Sequence, residues 1–234
     1  MTIGNFDGVH RGHQRLIEHL RSQSQRLQLP TMLMTFEPQP REFFAGAMLP
    51  ARLTRFREKV HLLERAGLDR LLCMPFNDQT SQIPAEWFAE EFLTDLVDAR
   101  YVVIGDDFRF GHERKGDFQL LQNTGARLGY EVISVDTVLQ GGDRVSSTLV
   151  RSTLSAGDFG KAAELLGHEY FIMGRVVYGR QLGRQLGVPT ANVKLQRYRA
   201  ALEGVYCVTV DGVAEDGRAL EGIANIGVRP TVDG

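Results

Sequence analysis

Two histidines, His10 and His13, stand three residues apart with Gly12 between them, in the run Asn5-Phe6-Asp7-Gly8-Val9-His10-Arg11-Gly12-His13. An apolar stretch precedes the run and an amphipathic one follows, so it reads as a turn from a strand into a helix. The first amides of a helix lack partners within it and lie at the positive end of its dipole, so such a turn favours a bound phosphate. Gly12 would let phosphate approach the backbone closely. Imidazoles placed there can donate hydrogen bonds to oxygens that gain charge in a phosphoryl-type transition state, and no covalent nucleophile is needed. The competing reading, a capped helix with two surface histidines, leaves unexplained why Asn-x-Asp-Gly, His and Gly-His meet at one strand end.

A second cluster is Arg144-Val145-Ser146-Ser147-Thr148-Leu149-Val150-Arg151. Ser146, Ser147 or Thr148 can cap a helix, and Arg151, one turn further in, can aim its guanidinium at polyphosphate. Alone, the cluster also fits an N-cap followed by a solvated arginine. Two more loops carry aromatic rings. In residues 36–44, Pro38 and Pro40 stiffen the chain and Phe43 and Phe44 can stack on a planar ring. Residues 105–116, with Asp107, Phe108 and Phe110, form a loop long enough to suggest function. A rigid turn and rings that fill core gaps are the alternatives for these two. Further on, Thr190 and Asn192 lie among Gly-rich turns and offer oxygens that a magnesium ion and a phosphate can share, although ordinary β-turns fit the spacing as well.

The elements that must position these residues follow from hydrophobic patterning. Short apolar runs at 2–6, 31–36, 70–75, 101–105 and 131–136 read as strands. Between them Leu16, Ile17, Leu20 and Leu27, then Phe56, Val60, Leu63 and Ala66, then Trp87, Phe88, Phe92 and Val97 recur near helical spacing, and residues 117–128 make a fourth helix. Alternating strands and helices predict a doubly wound α/β fold with a parallel sheet. Ligands of such sheets bind beyond the carboxyl ends of the strands, where strand order reverses, and the four loops above all follow strands. After a helix at 158–166 the pattern becomes strand-like, as in residues 205–210, with glycine turns at Gly174, Gly179, Gly183, Gly187, Gly212, Gly217 and Gly222. That predicts an all-β barrel or sandwich. The boundary falls near Gly167 and divides residues 1–167 from 168–234. The second part is short for an independent barrel and the first strand starts almost at Met1, so a partial barrel and trimmed ends are expected.

With 43% hydrophobic and 24% charged residues and a net charge of -2, the composition is that of an ordinary globular protein without a basic face. No apolar run approaches the ~20 residues of a membrane span, and no secretory signal opens the sequence. The expected setting is cytoplasmic, and the expected partners are small anionic molecules, with no nucleic acid, no membrane and at most a weak homo-oligomer. Cys73 and Cys207 lie in apolar strands and are expected as buried thiols, with neither disulfide nor zinc.

Five signatures occur in order: GNFDGVHRGH at 4–13, TFEPQPREFF at 35–44, GDDFRFG at 105–111, VSSTLVR at 145–151 and GVPTAN at 187–192. On these the whole chain resembles the bacterial bifunctional riboflavin kinase/FMN adenylyltransferases, or FAD synthetases. The resemblance implies adenylyl transfer from ATP to FMN, giving FAD and pyrophosphate, in a first domain that acts alone. It implies that His10 and His13 contact the ATP phosphates, that Asn5, Asp7 and Gly8 help form the nucleotide site, and that Ser147, Thr148 and Arg151 close over it. The two aromatic loops would hold the isoalloxazine. In the second domain, Thr190 and Asn192 would bind Mg2+ and ATP for the phosphorylation of riboflavin. Gln39 stands where the family usually has histidine. The family's kinase half continues past Gly234, and Glu203, Glu215 and Glu221 match no catalytic position, so kinase activity is not expected of this chain. Transfer to another phosphate such as phosphopantetheine, or a non-catalytic flavin-binding module, are the alternatives.

Overall fold

The computed structural model describes residues 1–44, 49–178 and 190–227. Its elements run β1 (Thr2–Ile3), α1 (Arg11–Leu27), β2 (Met32–Glu37), α2 (Pro40–Phe44), α3 (Phe56–Arg65), β3 (Arg70–Pro75), α4 (Asp78–Ser81) and α5 (Ala85–Trp87), which continues as a π-helical segment Phe88–Leu96. Then follow β4 (Tyr101–Gly105), α6 (Phe118–Leu128), β5 (Glu131–Val135), β6 (Leu139–Gln140), β7 (Asp143–Arg144), α7 (Ser147–Ser155) and α8 (Phe159–Leu166). The remainder holds β8 (Val176–Val177), β9 (Asn192–Val193), β10 (Gly204–Val210) and β11 (Leu220–Ile226).

The five expected strands form one parallel sheet in the order β3-β2-β1-β4-β5. Alternate residues feed two cores, as the two-residue period of a strand requires. Leu33 packs with Ile17 of α1 and Leu62 and Leu63 of α3, while Ile3, Met34, Val102 and Ile104 pack with Phe88, Phe92 and Leu121 on the other face. Strand order reverses at β1, whose neighbours are β2 and β4. Its carboxyl end is therefore the crevice that the histidine run enters.

Three expectations need correction. β1 ends at Ile3, not at residue 6; Gly4 still donates its N–H to the Met34 carbonyl at 3.0 Å, but Phe6, Gly8 and Val9 then take positive φ values of 48, 85 and 43°. Those left-handed steps coil the chain out of the sheet. The buried face of α3 is Glu58, Lys59, Leu62 and Leu63, whereas Phe56, Val60 and Ala66 are half-buried. Apolar spacing could not register a helix that buries two charges. Cys73 is half-buried on the edge strand β3, and Cys207 is exposed on the two-stranded ribbon β10-β11, so neither is the buried thiol expected.

Past α8 the described residues form two antiparallel ribbons, β8-β9 and β10-β11. Ala201 and Leu202 join Leu53, Val150, Leu154 and Leu165 in one apolar cluster, so the second part packs on the first. The predicted turns at Gly179, Gly183 and Gly187 lie outside the described residues.

Candidate active site

At the carboxyl edge of the sheet lies a cavity of about 1080 Å³. Asn5, Asp7, His10, Gly12 and His13 line it from the first loop, and Ser147, Thr148 and Arg151 from α7. Pro40 and Phe44 line it from the proline loop, and Asp107, Phe108 and Phe110 from the loop after β4. Gly8 and Pro38 stand in the same loops without lining it. Thr190 and Asn192 are exposed and do not line it; Asn192 opens β9, opposite Val177. Residues 187–189 of their motif lie outside the described residues.

His10 is the N-cap residue of α1, and no side chain caps that helix end. Its first-turn amides are therefore offered to the cavity. The rings of His10 and His13 stack with centroids 3.6 Å apart and planes 16° apart. Gly12 eases the stack, because a Cβ there would lie 3.2 Å from the His10 ring, closer than an ordinary contact. Gly12 thus leaves space beside the His10 ring as well as lining the cavity. Burial pulls the His10 pKa from 6.5 to about 4, opposed by the Asp7 carboxylate. Burial, then His10 and Lys59, hold His13 well below its ordinary value. Both rings are neutral at pH 7, so each has one N–H to donate. The Nδ1 atoms of both rings and Nε2 of Gln39 are buried without a hydrogen-bond partner among the described residues. Orphaned buried polar atoms are costly unless a ligand meets them.

Asp7 lines the cavity, and its carboxylate is held by the chain's own donors. It accepts from the Leu53 amide at 3.1 and 3.2 Å, and from the Thr54 amide at 2.9 Å and hydroxyl at 3.2 Å, and it pairs with Arg151 Nη2 at 2.5 Å. Arg151 Nε donates to the Ala51 carbonyl at 2.5 Å. The guanidinium is thereby held at the cavity wall, half-buried, instead of standing in solvent. Gly8, at φ 85°, donates its N–H to Thr54 Oγ1 at 2.9 Å, and a Cβ on it would meet Leu53 at 2.8 Å. Of the three candidate caps of α7, Ser146 is the one used, accepting from the Leu149 amide at 3.2 Å. Ser147 Oγ donates to the Asp7 carbonyl at 2.9 Å and so ties α7 to the histidine loop.

On the aromatic side of the cavity the rings divide between surface and core. Phe44 is exposed and packs edge-on against Phe43 and Phe76. Phe108 stacks on Phe110, but Phe110 is buried in the core against Phe88 and serves as the floor. Asp107 is held by Arg144 of β7 at 2.7 Å.

Several residues escaped sequence reasoning. Arg52 pairs with both Glu37 and Glu42 and so fixes the proline loop, with Glu42 Oε2 accepting from the Gln39 amide at 2.9 Å. Lys59, fully buried, donates to Thr35 Oγ1 at 3.2 Å beneath the histidines, and burial lowers its pKa. Arg55-Phe56-Arg57-Glu58-Lys59 looks like a solvated charge run, and nothing local marks it otherwise.

Residues 1–149 match the family model for FAD synthetase, and residues 166–234 that for riboflavin kinase. A bifunctional riboflavin kinase/FMN adenylyltransferase of Escherichia coli K12 is 47% identical over 234 residues, covering 100% of this chain and 74% of the relative. The protein of that name from Pseudomonas fluorescens is 48% identical over 233 residues, again covering 74% of the relative. A crystal structure named for a macrolide-efflux protein from Streptococcus pneumoniae superposes with a TM-score of 0.75 at 29% identity, covering 96% of this chain and 78% of that one. Among the described residues of this chain no helix is long and apolar enough to cross a membrane.

Proposed function

This chain belongs to the bifunctional riboflavin kinase/FMN adenylyltransferase family, and from that premise we propose that its cavity transfers the adenylyl group of ATP to FMN. A phosphate oxygen of FMN attacks the α-phosphorus of ATP; that P–O bond forms as the bond to the β-phosphate oxygen breaks, and pyrophosphate leaves with the electron pair. The observation that carries this reading is the uncapped start of α1 together with two stacked, neutral imidazoles at the cavity. In their roles, His10 and His13 donate N–H groups to phosphate oxygens as charge grows there. The amides around Gly12 hold the polyphosphate, and Arg151, with Ser147 and Thr148, closes over it. Asn5 bounds the nucleotide, while Asp7 and Gly8 shape the wall behind it. Pro40, Phe44, Asp107 and Phe108 border the flavin, above Phe110, and Pro38 stiffens the loop that carries Pro40.

Magnesium enters with the polyphosphate as part of the substrate. Magnesium ordinarily keeps several waters and binds through substrate phosphates, which the α1 start and Arg151 are placed to receive. The riboflavin kinase match supports a second reaction, phosphorylation of riboflavin, in which Thr190 and Asn192 serve ATP and its magnesium. We divide the two activities at residue 167, where Gly167 ends α8 at φ 75°. The setting is the cytoplasm, where ATP and FMN meet.

The test supplies ATP, magnesium and FMN, or riboflavin in a parallel reaction, and separates the flavins by chromatography. FAD and pyrophosphate from FMN are expected. Pyrophosphate release with another acceptor and none with FMN would move the assignment to that acceptor, and flavin retention without turnover would leave a binding module.

A further inference from the structure

Arg197 belongs to the second part of the chain, yet its guanidinium is fully buried against the first. Nη2 donates to both carboxylate oxygens of Glu58 at 2.6 Å. Nη1 donates to the carbonyls of Arg52 and Leu53 at 3.3 and 3.2 Å, and to the Tyr170 hydroxyl at 3.3 Å. The Arg52 carbonyl and the Leu53 N–H are the two ends of one planar peptide unit, and the Leu53 carbonyl and Thr54 N–H are the ends of the next. Those two N–H groups are the ones that hold the Asp7 carboxylate. A guanidinium at the oxygen ends fixes both planes and polarises their N–H groups toward the carboxylate. Asp7 in turn holds Arg151 at the cavity.

Glu58 anchors the other side of the guanidinium. It accepts from the Arg55 and Met173 amides at 2.8 Å each, so its carboxylate has little freedom. The fork of Arg197 is therefore set by two elements of the first part, and no lysine could span both.

We propose that Arg197 is a positioning residue of the adenylyl site, acting through the peptide units 52–54 and Asp7 to set the direction of Arg151. This rests on the reading above for what Arg151 binds. It implies that a segment of the second part is required by the first reaction, against the expectation that the first domain acts alone.

The test uses the full chain with three changes: Arg197→Met, Arg197→Lys, and the pair Glu58→Gln with Arg197→Met, which leaves no unpaired buried carboxylate. FAD formation is measured with ATP and FMN varied separately, and amide exchange is followed at Leu53 and Thr54. The expected result is an ATP KM raised about tenfold in all three, the scale of one lost coupling between neighbouring groups. FMN KM should be unchanged and exchange at both amides faster. A wild-type ATP KM in the paired variant, or an equal rise in both KM values, would overturn the inference. If the unmodified chain makes no FAD, the functional reading fails; exchange at Leu53 and Thr54 then decides the relay alone, faster exchange supporting it and unchanged exchange sinking it.

Discussion

Two imidazolium rings would repel each other at the 3.6 Å that separates His10 from His13, so the stack and the neutrality of the pair are one fact. The consequence for stability has a definite sign. An unfolded chain protonates His10 near its ordinary pKa of 6.5, whereas the folded chain resists until about 4. Acidification through that window therefore favours unfolding, and above it the ring contributes no pH dependence. Between neutral pH and about pH 4.5, wild type should lose on the order of 2–3 kcal/mol more stability than His10→Gln. Urea unfolding at the two pH values checks this, and parallel losses would show that His10 titrates normally. For catalysis, His13→Ala should slow adenylyl transfer at least ~100-fold, the scale for one lost transition-state donor, with FMN binding little changed. Single-turnover FAD formation and flavin fluorescence read the two effects separately.

At the scale of elements, the site is a junction of the histidine loop, the 51–55 segment and α7, and Asp7 is the group common to all three. Arg151 is placed by two contacts made at once, to Asp7 and to the Ala51 carbonyl. Arg151→Lys keeps the charge but cannot make both contacts and also reach phosphate with a planar fork. The expected outcome is an ATP KM raised by about tenfold with the FMN KM unaltered. Initial rates with each substrate varied are the measurement; unchanged ATP kinetics would mean that the arginine is structural only. The capping of α7 was legible as a choice among Ser146, Ser147 and Thr148. The structure divides the labour, with Ser146 on the helix and Ser147 on the loop.

Across the molecule, stability is unevenly distributed. β4 is central, with Val102, Val103 and Ile104 fully buried, whereas the ribbon β10-β11 leaves Val205 67% and Ile223 78% exposed. A two-stranded ribbon with an open face has few contacts to resist local opening. Amide exchange should accordingly be slowest along Val102–Ile104 and faster by orders of magnitude along Val205–Thr209, as mass spectrometry of peptide fragments would record. Uniform protection of both would show that the ribbon is held as firmly as the sheet. The buried pair of Glu58 with Arg197 predicts a local exception, with the residues next to Arg197 exchanging more slowly than the ribbon that follows them.

What the sequence determined alone is what local spacing can encode. Short apolar runs and the 3.6-residue period located all five parallel strands and the main helices, and the His-x-Gly-His run marked a candidate phosphate site, because a helix start offers amides whatever surrounds it. Tertiary structure decided the rest wherever a residue's role depends on a distant partner. No spacing marked Glu58 and Lys59 for burial, yet both are buried, and a guanidinium 139 residues along the chain meets Glu58. Asp7 read as part of the nucleotide site, and only the fold shows that its carboxylate accepts from the amides of Leu53 and Thr54. Phe110 read either as part of a flavin loop or as a ring that fills the core, and the fold packs it against Phe88 while it lines the cavity. Burying a charge or a ring is settled by the groups that meet it in space, and no spacing along the chain carries that information.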